Sequence, residues 1–341
     1  MLALGIPTPK STMKRLLQAS LAIALLLVLL GTGFLAIYWA PDRPVRSLTA
    51  RWAPAPSAFV EVAGMRVHVR DEGNREDPTP LVLLHGTSAS LHTWDGWTMA
   101  LAADRRVIRF DLPGFGLTGP RPDGDYRIER YVEFVGAMLD AMGVRHCVLV
   151  GNSFGGWVAW ESALALTPGR VEALVLVDAS GYPVEPQSVP IAFRIAALPL
   201  LNGAMKHTLP RSVVESSLRN TYGDPSRVSP EVVDRYYELS LRAGNRGALS
   251  QRLAQAPTGI HAGRIPDIRV PTLILWGGRD RLIPPDSALR FQRDIEGSRL
   301  VEFPALGHVP HEEDPEATVI AVQEFLRRLE ATAEIRESPE A

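Results

Sequence analysis

Between Phe59 and Phe303 the chain alternates short apolar runs with glycine-rich turns and stretches of helical spacing. Leu81–Leu84, Arg106–Phe110, Cys147–Val150, Leu174–Val177, Thr272–Trp276 and Leu300–Phe303 are such runs. Most show no polar alternation, as expected of strands covered on both faces of a mostly parallel sheet, and the last two are predicted as short buried strands. Val60, Val62, Met65, Val67 and Val69 alternate instead around Ala63-Gly64, which predicts a half-exposed hairpin with Gly64 in the turn. Ile128, Tyr131, Val135, Met138, Leu139 and Met142 repeat at helical spacing, and Gly143 is a C-terminal stop. Strands alternating with helices predict a doubly wound α/β sheet, with functional groups in loops at the strand C-terminal ends.

The middle breaks this rhythm. Residues 183–266 hold no clear strand, open with Pro183, Pro186, Pro190 and Pro199, and carry amphipathic patches at Val213–Leu218 and Val232–Leu241. A helical insertion over the sheet edge is the expectation, and such a lid would carry the substrate pocket.

The first residues follow another pattern. Lys10, Lys14 and Arg15 precede an uncharged run of 24 residues, Leu16–Trp39, closed by Tyr38 and Trp39. As a helix it spans about 36 Å, enough for a hydrocarbon core of ~30 Å. Bulky residues and Pro41 at its exit make a poor cleavage site, so an uncleaved signal anchor is expected over a cleaved signal. The basic N-terminal side places residues 1–15 in the cytoplasm and the bulk of the chain outside it. Pro41–Pro56 reads as an extended linker. The expected organisation is thus a cytoplasmic N-terminus, an anchor over 16–39, a linker over 40–57, a core over 58–182 and 267–331, a cap over 183–266 and a tail over 332–341.

Composition narrows the class. Apolar residues make up 46% of the 341 and charged ones 22%, an ordinary globular balance. A net charge of −2 argues against a nucleic-acid partner. Cys147 is the sole cysteine, which excludes an intrachain disulfide and a cysteine metal site; it reads as a small core residue.

One apolar run enters Gly151-Asn152-Ser153-Phe154-Gly155-Gly156 and leaves into Trp157. The glycines let a strand reverse into a helix, leaving Ser153 exposed at the apex above a helix N-terminus that favours negative charge. A neutral serine is a weak nucleophile and needs a base, and that base needs a carboxylate to fix its tautomer. Asp280 stands at a strand exit behind Gly277-Gly278, and His308 follows the next strand in Gly307-His308. Asp178, which also ends a strand, is a minority candidate for the acid. His311, before Glu312-Glu313-Asp314, is expected at the surface capping a helix. His85 is expected to be structural, Asp111 to brace loops near it, and Trp157 and Trp160 to pack.

These motifs resemble the α/β-hydrolase fold family over about Phe59–Leu329. They comprise His85-Gly86, Asp111-Leu112-Pro113-Gly114, Gly151–Gly156, Gly277–Asp280 and Gly307-His308, with nucleophile, acid and base in the order Ser153, Asp280, His308. The resemblance implies Ser153 as nucleophile, Asp280 as acid, His308 as base, an oxyanion hole of the Thr87 and Phe154 backbone N–H groups, and the middle insertion as the family's cap. Asn152 stands where many members carry histidine. Serine at the elbow sets the chain apart from branches that use aspartate there, the haloalkane dehalogenases and epoxide hydrolases. The leading expectation is therefore hydrolysis of carboxylic esters through an acyl-enzyme, as in bacterial lipases and esterases of this fold. It needs no metal or organic cofactor, and the anchor favours lipid-like substrates. Two alternatives stand beside it: cleavage of carbon–carbon bonds in diketone ring-cleavage products, and a membrane-tethered binding protein without catalysis. The intact triad speaks against the latter.

Overall fold

The structure, a computed structural model, describes residues 9–189, 191, 194 and 207–337. Pro190 and Pro199 at the opening of the insertion, and residues 1–8 and 338–341, lie outside the described residues. Among the described residues eight strands form one sheet: β1 (Ala58–Val62), β2 (Met65–Gly73), β3 (Leu81–Leu84), β4 (Arg106–Phe110), β5 (Cys147–Asn152), β6 (Val171–Val177), β7 (Thr272–Gly277) and β8 (Arg299–Phe303). Their order is β1-β2-β4-β3-β5-β6-β7-β8. β2 is antiparallel to β1 and to β4, and the other pairings are parallel. Ala63 and Gly64 turn the β1–β2 hairpin with φ of 51° and 72°, the left-handed pair that two-residue hairpins favour.

The unbroken apolar runs have a simple cause. Side chains alternate across each strand, and both faces are covered. Val82, Leu84, Leu149, Leu174, Leu176 and Ile274 point into one core with Tyr131, Phe134, Trp157, Trp160 and Phe291. Leu81, Leu83, Val148, Val150, Val175 and Leu273 point into the other, against Trp94, Trp97, Val322 and Phe325. Cys147 is fully buried in the first core. β8 departs from expectation: Leu300–Phe303 is a half-exposed edge strand paired only with β7, not a buried one.

Between β6 and β7 the described residues form helices only, chiefly Arg211–Thr221, Pro230–Ser240 and Asn245–Gln255. Val214, Leu218, Tyr222, Val233 and Leu241 give these helices an apolar core of their own with Val309. The C-terminal helix runs Pro315–Glu337, so most of the stretch read as a tail continues a helix whose Val319, Val322 and Phe325 are buried.

At the other end a single helix spans Pro9–Ile37. Met13–Ile37 has a mean hydropathy of 2.5 and touches none of the core. The segment after it is not an extended linker. Val45–Ser47 and Thr49–Trp52 are short helical turns, because Leu48 and Trp52 find burial against Leu117 and Leu239. Trp39 stacks on His207 at 5.2 Å, Arg43 N–H donates to Leu241 O at 2.6 Å, and Asp42 pairs with Arg246 at 2.6 Å. The stretch is fastened to the helical insertion.

Candidate active site

β5 is buried along its whole length and delivers the chain into Ser153, whose φ of 54° and ψ of −116° belong to no relaxed L-residue conformation. Its surroundings hold it there. Ser153 N–H donates to Val177 O at 3.0 Å, and Ser153 O accepts from Ser180 N–H at 2.9 Å and Trp157 N–H at 3.2 Å. The helix Phe154–Ala165 starts at the next residue. Only glycine fits the crossing: a Cβ at Gly155 would lie 2.2 Å from Leu84 O, and one at Gly151 2.3 Å from Gly155 O.

Asp280 and His308 reach the same corner from the ends of β7 and β8. Asp280 Oδ2 pairs with His308 Nδ1 at 2.7 Å, while Oδ1 accepts the N–H groups of Leu282 at 2.7 Å and Ile283 at 3.0 Å. The histidine loop is itself pinned. His308 N–H donates to Thr221 O at 2.7 Å, and the Asn152 amide donates to His308 O at 3.0 Å and Val177 O at 3.1 Å. Asn152 thus ties the elbow to the histidine loop. Glu313, buried, accepts from Gly307 N–H at 2.8 Å, Gly223 N–H at 2.9 Å and Asp224 N–H at 2.7 Å, locking that loop to the insertion.

Asp178 is brought to the same corner: one ligating atom each of Asp178, Asp280 and His308 lies within 4.8 Å of the other two. It does not reach the histidine. Asp178 Oδ1 accepts only Gly277 N–H, at 3.0 Å. Its Oδ2 is buried without a partner among the described residues, and burial, then repulsion from Asp280, push its carboxyl well above the usual range, which favours the protonated form.

His311 is not at the surface. It is fully buried, its ring 4.0 Å from that of Trp94 and its Nε2 3.0 Å from Thr93 Oγ1. Glu312, its neighbour, pairs with Arg235 and accepts from Tyr236 Oη at 2.9 Å. An acidic stretch that looked solvent-facing is in fact the seam between core and insertion. His85 is structural as expected: Nε2 accepts Leu112 N–H at 2.9 Å and Nδ1 donates to Gly86 O at 2.8 Å. Asp111 braces several loops, accepting from Leu91 N–H at 2.8 Å and Leu117 N–H at 2.7 Å. It also pairs with His68 at 2.8 Å, whose other nitrogen meets Ser57 Oγ at 2.9 Å. That Ser-His-Asp chain does not line the cavity above Ser153, and Arg70 Nε donates to the Ser57 hydroxyl at 2.9 Å. It is a brace.

Above Ser153 lies a cavity of about 500 Å³ lined by Thr87, Ser153, Phe154, Trp157 and His308, roofed by residues of the insertion and mostly apolar. Trp160 packs inside the core, whereas Trp157 forms cavity wall as well. Among the described residues the N–H groups of Thr87 and Phe154 meet no protein acceptor, so two donors stand unspent beside the serine. Arg246, Arg252 and Tyr236 also line the cavity. No motif announced them; they are known only from the folded insertion.

Residues 79–315 match the family model described as alpha/beta hydrolase fold. The chain belongs to the α/β-hydrolase fold family. A 2-hydroxy-6-oxo-2,4-heptadienoate hydrolase of Pseudomonas putida is 33% identical over 282 residues, covering 79% of this chain and 95% of the relative. A crystal structure of a meta-cleavage product hydrolase superposes with a TM-score of 0.67 at 27% identity, covering 80% of this α/β-hydrolase and 98% of that chain. A membrane phospholipase A described as a bacterial virulence factor superposes with a TM-score of 0.68 at 26% identity. That match covers 94% of this chain and 99% of the other, a share that residues 58–341 alone cannot supply.

Proposed function

We propose that this α/β-hydrolase cleaves carboxylic esters through an acyl-enzyme on Ser153. The observation that carries the reading is the strained Ser153 on a cavity shared with His308, whose other nitrogen is held by Asp280. In the proposed reaction His308 Nε2 takes the proton of Ser153 Oγ as it attacks the ester carbonyl. Asp280 holds the imidazole in the required tautomer and stabilises the imidazolium. The tetrahedral oxyanion is received by the N–H groups of Thr87 and Phe154, donors that cost no reorganisation and are worth about 3–4 kcal/mol each in comparable sites. His308 then protonates the leaving alcohol, and water repeats the cycle on the acyl-enzyme.

Ester over carbon–carbon cleavage is favoured by the N-terminal helix and by a structural match to a membrane phospholipase A that extends into it. In this reading residues 16–39 anchor the protein as a single-pass signal anchor. Residues 183–266 cap an extracytoplasmic catalytic domain, and the apolar cavity takes an amphiphilic ester. The relative acting on 2-hydroxy-6-oxo-2,4-heptadienoate supports the second reading, carbon–carbon hydrolysis of a diketone.

A p-nitrophenyl ester panel of increasing acyl length, run beside a 2-hydroxy-6-oxo-dienoate, separates the two. Ester turnover at least a hundredfold above diketone cleavage, abolished by Ser153→Ala, is the expected result; the inverse preference assigns the second reading. A C-terminal reporter active only in the cytoplasm would overturn the orientation.

A further inference from the structure

The wall of the Ser153 cavity carries charge of one sign. Arg194, Arg246 and Arg252 line it, and among the described residues no aspartate or glutamate does. Arg246 and Arg252 project from one face of the helix Asn245–Gln255, together with Leu249 and Leu253. Arg252 is the unusual one. Only 7% of it is exposed, its guanidinium stacks 4.6 Å from the ring centroid of Phe154, and its Nε has no acceptor. No carboxylate pairs with it among the described residues, and the one ionisable neighbour that acts on it, Tyr131, spends its hydroxyl hydrogen on Pro113 O at 2.9 Å. Burial, against a smaller opposing effect of Tyr131, pulls the guanidinium down to about 10, as befits a cation far from both water and counter-ion.

A buried charge without a partner is costly, and stacking on an aromatic face recovers only a small part of that cost. Arg246 is half-satisfied in the same way: Nη2 is held by Asp42 at 2.6 Å, while Nε and Nη1 are buried with no acceptor. These two atoms and Arg252 Nε are closed off, but Arg252 lines the cavity and its Nη groups donate to no described residue. An open guanidinium end on the wall of an otherwise apolar chamber is what a site for a carboxylate or phosphate oxygen requires.

We propose that Arg252, with Arg246 on the same helix face, forms an anion subsite that holds a carboxylate or phosphate group of the substrate. The inference rests on the ester reading and deepens it: the substrate is an anionic ester. Phe154 fixes the geometry. Its ring carries the Arg252 guanidinium and its N–H is the proposed oxyanion donor, so the anionic group sits only a few bonds from the scissile carbonyl. The apolar remainder of the cavity takes the rest of the molecule.

The test uses the full chain in detergent and three p-nitrophenyl esters of similar length: a neutral valerate, a glutarate monoester and a phosphonobutyrate. Loss of a charge-assisted contact of about 1.5–3 kcal/mol lowers kcat/KM by roughly 10- to 100-fold. Arg252→Gln is therefore expected to lower the anionic-to-neutral ratio of kcat/KM at least tenfold, mainly through KM, and Arg252→Lys to restore most of it. The anionic ester with the larger loss identifies carboxylate or phosphate as the natural group. Equal losses on all three esters, or an unchanged ratio, overturn the subsite and leave Arg252 as packing on Phe154. Turnover of the valerate separately tests the ester reading. Should no ester be cleaved, or the variant not fold, thermal shift of the wild-type protein still decides. Stabilisation by glutarate or inorganic phosphate but not by glutaramide supports the site, and no stabilisation by either anion overturns it.

Discussion

Asp178 and Asp280 set two buried carboxyl groups side by side, oxygens within 4.8 Å, and only Asp280 bonds His308. The division of labour follows from the donors around each. Asp280 accepts from two backbone N–H groups and the imidazole, Asp178 from one N–H. Two carboxylates so close do not both ionise in a dry site, and the poorly solvated one keeps the proton. Asp280→Asn is expected to lower kcat by about a thousandfold or more, since it leaves the wrong histidine tautomer. Asp178→Asn, a near-isostere of the protonated acid, is expected to cost less than about tenfold. A large loss at Asp178 with a small one at Asp280 would reverse the assignment.

The same pair makes a stability prediction whose sign is fixed. Asp178 has a raised folded-state pKa, so its contribution is complete below the ordinary carboxylate value and is lost as pH rises toward the folded one. Above pH ~4 the wild type loses roughly 1.4 kcal/mol per pH unit relative to Asp178→Asn, until Asp178 ionises in the fold. Chemical denaturation of both proteins from pH 5 to pH 8 checks this; parallel profiles would show that Asp178 is already ionised.

Acid acts through different residues. His92 and His311 are buried, and burial lowers both, His92 to about 3 and His311 well below the ordinary imidazole value. Burial disfavours the charged form of each, and His92 Nε2 donates to Trp52 O at 2.8 Å while its Nδ1 accepts from Ser90 Oγ at 3.0 Å. A depressed folded-state pKa gives stability that is present above ~6.5 and lost as pH falls toward the folded value. Stability is expected to drop by roughly 1.4 kcal/mol per pH unit per histidine below that point. His92→Gln should remove one proton's worth of the slope in denaturation measured between pH 7 and pH 4.5.

What was legible in the residues and what was not divides along one physical line. Ser153, Asp280 and His308 were visible because each lies within a few residues of a strand run, with glycines where backbone must cross backbone; local chemistry reports local geometry. Asp178 was visible for the same reason, though its proton depends on a neighbour 102 positions away. His311 was misjudged because its burial is made by Trp94 and Thr93, the latter 218 positions back, and because Glu312 and Glu313 beside it are taken up by Arg235, Tyr236 and the turn at Gly223 of the insertion. The stretch after the apolar N-terminal helix looked extended because Leu48 and Trp52 have no periodic company; only folding supplies Leu239 and Leu117 as their partners. Arg252 belongs to no motif, and the ring that holds it, Phe154, is 98 positions away.

The crossing at the elbow is tight enough to make a conservative change severe. A methyl at Gly155 meets two carbonyl oxygens, Leu84 O at 2.2 Å and His85 O at 2.6 Å, and neither can swing away. At Gly86 it meets the Asn152 Oδ1 side-chain atom at 2.8 Å, which can shift. Gly155→Ala is expected to destabilise by about 3 kcal/mol or fail to fold. Gly86→Ala should fold but lose activity, because Asn152 holds the histidine loop. Thermal melts beside ester turnover separate the two, and equal Tm values for both variants would contradict the contact geometry.

Removing the apolar N-terminal helix is the natural route to a shorter form of the enzyme, and the cut site matters. Ala40 N–H donates to His207 O at 2.8 Å, Ala243 N–H to Arg43 O at 2.8 Å and Gly244 N–H to Asp42 Oδ2 at 3.0 Å. Trp52 Nε1 donates to Glu238 Oε2 at 2.7 Å. A chain beginning at residue 38 keeps these bonds, whereas one beginning at residue 54 exposes the apolar seats of Leu48 and Trp52 and leaves Arg246 without its carboxylate. The longer form is expected to melt higher, with the helices 211–255 protected from limited proteolysis. Asp42→Asn in the full chain isolates the charge. Asp42 is partly exposed, so the cost to stability is about 1 kcal/mol or less. Equal protease resistance of the two truncated forms would show that the segment rides on the insertion without stabilising it.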